Sequence, residues 1–104
     1  MELSYSSKKL QKKLKDERLI HKNYGNRANN LVMRIAELEA AVTLANIPNI
    51  PPPRRHKLKG GYNNQWGIDV TKNYRIIIEP VGEYNEEDLS TIISIKIIDI
   101  VDYH

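Results

Sequence analysis

The chain has 104 residues, 16 Lys/Arg, 13 Asp/Glu and no cysteine, with a net charge of +3. That length supports one domain, residues 1–104, with a single two-layer core, and the missing cysteines exclude a disulfide framework or a thiolate metal site. Charge is unevenly spread: residues 1–60 hold 13 Lys/Arg against 5 Asp/Glu, and residues 61–104 hold 3 against 8, so the first half suits a polyanionic partner.

The start, Met1-Glu2-Leu3-Ser4-Tyr5, is polar and unlike a signal peptide. No apolar run approaches the ~20 residues of a membrane span, so the expectation is a cytoplasmic protein without a membrane partner. Leu3 and Tyr5 alternate with Ser4 as a short first strand. Ser6 or Ser7 can cap a first helix carrying Leu10 and Leu14 among Lys8, Lys9, Lys12, Lys13 and Lys15, with an apolar stripe so thin that the helix should lie on the surface. His21 falls among these cations and reads as a surface residue. Tyr24-Gly25-Asn26 makes a break. Ala28, Leu31, Val32, Ile35, Leu38, Val42 and Ala45 then fall on one face of a second helix, the strongest periodicity in the chain.

The proline-rich stretch 47–53 ends the helical half as a stiff crossover. Trp66-Gly67-Ile68-Asp69-Val70 and Tyr74-Arg75-Ile76-Ile77-Ile78 flank Thr71-Lys72-Asn73 as a hairpin. Setting Val70 opposite Tyr74 puts Ile68 against Ile76 and Trp66 against Ile78, all on one face; a one-residue slip would mix the faces. In this register Asp69 lies opposite Arg75, and the two could pair across the strands. Trp66 reads as core. Residues 79–88 carry five acids with Pro80 and Gly82, a solvated loop, and a last strand runs from Ile92 to about Val101. The predicted order β-α-α-β-β-β is an α+β layout, a two-helix hairpin on one face of a small antiparallel sheet.

His56-Lys57-Leu58-Lys59-Gly60, Trp66-Gly67-Ile68, Asn73-Tyr74-Arg75-Ile76 and Val101-Asp102-Tyr103-His104 resemble, in this order and spacing, the HigB-type toxins of the RelE/ParE toxin–antitoxin superfamily. The resemblance spans nearly the whole chain. It implies a RelE-like fold and a type II toxin that cuts mRNA on the ribosome without a metal or cofactor. The implied partners are a HigA-like antitoxin, the ribosome and its mRNA, with operator DNA reached only through the antitoxin. One position departs from the family: Asp69 stands where many of these toxins carry an arginine.

The residues suit that chemistry. Metal-free RNA cleavage needs a base near the 2′-hydroxyl, an acid near the leaving 5′-oxygen and positive charge on the phosphate oxygens. Lys59 and Arg75 suit the phosphate, Arg75 through a two-pronged fork. His56 and His104 suit proton transfer in either order. Tyr103 could stack on a base or position the phosphate, and Asp102 could orient an imidazole or act as a base. Arg54, Arg55 and Lys57 are candidate RNA contacts. Strict alternation would place Asp102 and His104 on one strand face and Tyr103 on the other, so the three converge only where the strand ends or curls. Two other readings fit the same scaffold: a ParE-like toxin acting on DNA gyrase, and a non-catalytic antitoxin-binding module.

Overall fold

The computed structural model describes residues 1–60 and 64–102. Five strands, β1 (Glu2–Tyr5), β2 (His56–Lys57), β3 (Trp66–Asp69), β4 (Tyr74–Pro80) and β5 (Ser94–Asp102), form one sheet in the order β1-β5-β4-β3-β2. Helices α1 (Lys8–Lys13), α2 (Glu17–Tyr24) and α3 (Ala28–Ala40) lie between β1 and β2 in the chain. The α+β class and the helices-on-sheet arrangement are as the sequence indicates. The sheet itself is mixed: β1 runs parallel to β5, while every other pairing is antiparallel.

The expected first helix is two helices. Ser7 accepts a bond from the Leu10 amide at 3.1 Å and caps α1; Asp16 accepts one from the Leu19 amide at 2.9 Å and caps α2. An Asp side chain that satisfies a free first-turn amide starts a new helix rather than continuing the old one. The split lets Leu10, Leu14 and Ile20 all reach the core, so this segment is docked and not merely superficial. His21 is exposed.

On α3, Ala28, Leu31, Ile35 and Leu38 are buried as their spacing predicts, but the helix ends before Val42, which is 73% exposed. Thr43 and Asn46 form a reciprocal capping box over a 3-10 turn, Leu44–Asn46. That turn carries Leu44 into the core in place of Val42 and leaves Ala45 exposed.

The β3–β4 register is the expected one: Trp66↔Ile78, Ile68↔Ile76 and Asp69↔Arg75. Ile68, Ile76, Ile78, Ile95 and Ile97 line the helix side of the sheet with 0–1% exposure, and Trp66 packs partly buried beside them. By alternation, Gly67, Asp69 and Arg75 project from the other side, and the pairing His56↔Gly67 adds His56 to that face. β2 has only two residues and was not expected. The last strand begins at Ser94, two residues later than expected, because Asp88 caps a 3-10 turn over Leu89–Thr91.

Candidate functional site

The sheet face opposite the helices gathers Arg54, His56, Gly67, Asp69 and Arg75. His56 is fixed through both ring nitrogens. Its Nδ1 lies 2.8 Å from the Arg54 carbonyl oxygen, which can only accept, so Nδ1 carries the proton. Nε2 is then the lone-pair nitrogen of a neutral ring, and an Arg75 guanidinium N–H donates to it across 3.3 Å. The ring lies against Gly67: a Cβ there would stand 2.7 Å from both Cε1 and Nε2 of His56 and 3.3 Å from Cδ of Arg75. Only glycine leaves that space, the reason a strand-interior glycine marks a close approach.

Asp69 is held at both backbone groups. Its amide donates to the Pro53 carbonyl at 2.7 Å, and its carbonyl accepts from Nε of the buried Arg34 on α3 at 3.1 Å. Its carboxylate accepts a two-pronged bond from Arg54, Nε at 2.6 Å and an Nη at 3.2 Å. The cross-strand placement opposite Arg75 is observed, but the carboxylate forms its salt bridge with Arg54. Arg54 thus presents its Nε edge to Asp69, with its side chain still 41% exposed.

The remaining candidates are dispersed around this cluster. Arg55 donates to the Ile47 carbonyl at 2.7 Å and lies 5.6 Å from the Trp66 ring centre; burial lowers its guanidinium pKa from the ordinary value. Lys57 is exposed, with its ammonium 5.4 Å from the centre of the same ring. Lys59 is exposed beyond the end of β2, next to Gly60 at φ +76. Asp102 sits at the end of β5 opposite Tyr74, while Val101 is the residue opposite Arg75. Asp102 thus alternates to the side away from the His56–Arg75 pair, and β5 stays extended through it. Tyr103 and His104 lie outside the described residues.

Sequence reading missed Gly67 as the seat of the imidazole, although Trp-Gly-Ile inside a strand pattern carried that signal. It also missed the Arg54–Asp69 pair, which joins segments on either side of β2. Among the described residues, no group of three or more His, Cys, Asp or Glu side chains could hold a metal ion, and no helix is long and apolar enough to cross a membrane. A second basic feature lies on the helical side: a groove of about 240 Å³ between α1 and α2, lined by Lys9, Lys12, Lys13 and Lys22 with Leu19 and Asn23.

No family model matches this chain, and no curated protein does. Among solved structures it is similar to a YoeB/ParE toxin from Agrobacterium tumefaciens, at 15% sequence identity and a TM-score of 0.57, over 100% of this chain and 99% of that one. At that identity the likeness is one of fold, and it covers the full length of the chain.

Proposed function

We propose that this chain is the toxin of a type II toxin–antitoxin pair and cuts mRNA on the ribosome. The observation that carries the reading is the His56–Arg75 contact on the open face of a RelE/ParE-like sheet. A neutral imidazole with its lone pair on Nε2 touches a guanidinium there, a base beside a phosphate clamp.

In this mechanism Nε2 of His56 takes the proton of the 2′-hydroxyl, and the freed oxygen attacks the adjacent phosphorus. Arg75, together with Lys59, neutralises the non-bridging oxygens as charge grows on them. The bond from phosphorus to the 5′-oxygen breaks, and His104 gives that oxygen a proton. The products are a 2′,3′-cyclic phosphate and a 5′-hydroxyl. Tyr103 stacks on the base beside the scissile phosphate. Lys57 and Arg55, set about the Trp66 ring, extend the cationic surface along the RNA, and the lysine groove between α1 and α2 contacts ribosomal RNA. The antitoxin, of HigA-like kind, silences the toxin and brings it to operator DNA, and the protein works in the cytoplasm.

The test uses purified protein with programmed ribosomes, mapping mRNA 5′ ends by primer extension, beside a DNA gyrase supercoiling assay. New ends within A-site codons support the reading. Intact mRNA with lost supercoiling would replace it with a gyrase-directed toxin, and silence in both assays would leave an antitoxin-binding module.

A further inference from the structure

We infer that Asp69 and Arg54 are positioning residues that set the tautomer of His56, an inference that rests on the proposed role of His56 as a base. Arg54 is a non-glycine residue in left-handed backbone, φ +41, a conformation that L side chains resist. Its carbonyl is the acceptor at 2.8 Å from His56 Nδ1. A neutral imidazole has one N–H, and whichever nitrogen finds an acceptor keeps it. The direction of the Arg54 carbonyl therefore decides that Nε2 bears the lone pair and faces Arg75.

The unfavourable backbone at Arg54 is held from its far end. The guanidinium forks onto Asp69, and Asp69 is anchored by Pro53 through its amide and by Arg34 of α3 through its carbonyl. The Arg54 amide is tied as well, donating to the Ile50 carbonyl at 3.0 Å. A path of direct contacts thus runs from α3 through Asp69 and Arg54 to the imidazole. Strain of this kind persists where the surroundings over-determine it, and it concentrates at functional sites. The acid at position 69 then contributes to the site by aiming a base through its neighbour, a task separate from neutralising phosphate.

The backbone argument separates two substitutions that remove the same charge. Asparagine enters the left-handed region readily, whereas a β-branched residue does so only as an outlier. In the full chain, Arg54→Asn is expected to keep the proton of neutral His56 on Nδ1, and Arg54→Val to move it towards Nε2. The readout is the long-range ¹H–¹⁵N correlation of the imidazole nitrogens, assigned by comparison with His56→Gln. Asp69→Ala is expected to shift the same signal, with Asp69→Ala/Arg54→Asn returning it towards the wild-type pattern. Cleavage should fall at least tenfold further in Arg54→Val than in Arg54→Asn, a gap that removing an RNA-binding charge would not produce. A wild-type protein with the proton on Nε2, or Arg54→Asn and Arg54→Val with identical tautomers, overturns the inference. If the tautomers respond as expected and wild-type protein leaves mRNA intact, the positioning stands and the nuclease reading fails.

Discussion

Gly67→Ala puts one methyl group against the centre of the site. Gly67 lies in β3 without a positive φ, so the backbone accepts alanine, and the effect falls on what the new Cβ meets. That carbon would stand 2.7 Å from Cε1 and Nε2 of His56, whereas comfortable carbon contacts lie at roughly 3.5–4.0 Å. The ring must retreat by about 1 Å to relieve the overlap. The Nε2–Arg75 contact, already at 3.3 Å, does not survive such a move. A misplacement of about 1 Å in a catalytic group costs on the order of 10²-fold in rate, or about 2.7 kcal/mol of activation free energy. Stability should change by a comparable or smaller amount. Removing glycine's backbone freedom contributes roughly 0.5–1 kcal/mol, set against about 1–3 kcal/mol of overpacking. The assay is single-turnover cleavage of ribosome-bound mRNA, with thermal unfolding of the same preparation. A rate near wild type in a folded Gly67→Ala protein would refute the placement of His56 in the chemistry.

Other outcomes follow from the same structure. Ile78→Ala empties a fully buried position beneath the sheet and should cost about 2–5 kcal/mol, read as a lower denaturant midpoint. Replacing Lys12 and Lys22 with alanine should weaken ribosome binding while leaving the chemical step unchanged. It should also flatten the dependence of log affinity on log salt by about 0.7–0.9 for each phosphate no longer neutralised. Burial, and then the Asp99 carboxylate, raise the Tyr24 phenol pKa above its ordinary value, with Arg27 opposing them. The native state therefore holds that proton more tightly than the unfolded chain. This contribution is intact below pH ~10 and declines as pH rises through the native pKa. Tyr24→Phe should remove a late tyrosinate absorbance step and flatten the alkaline loss of stability.

The sequence was most legible where periodicity and burial coincide. Alternation in residues 66–70 and 74–78 determined the hairpin register because one face had to be buried, and the spacing from Ala28 to Leu38 marked the core face of α3. It was least legible where a short polar side chain redirected the backbone. Asp16 splits the first helix, and the Thr43–Asn46 box exchanges Val42 for Leu44, effects a hydrophobic count does not register. Strand β2 is too short to show a period. His56 and Arg75 stood out as candidates by residue type and order, whereas the Arg54–Asp69 salt bridge depends on a left-handed residue after the proline crossover. No local pattern specifies that contact.

The most direct test of the proposed chemistry is the single-turnover rate of mRNA cleavage on programmed ribosomes for wild type, His56→Ala, Arg75→Ala and His104→Ala. The wild type should make cuts with 5′-hydroxyl ends, and each variant should show a drop on the order of 10²-fold or more, the scale of a missing general acid or base or of a missing charge stabiliser. Cleavage at the wild-type rate in all three variants, or ends bearing 5′-phosphate, would contradict it.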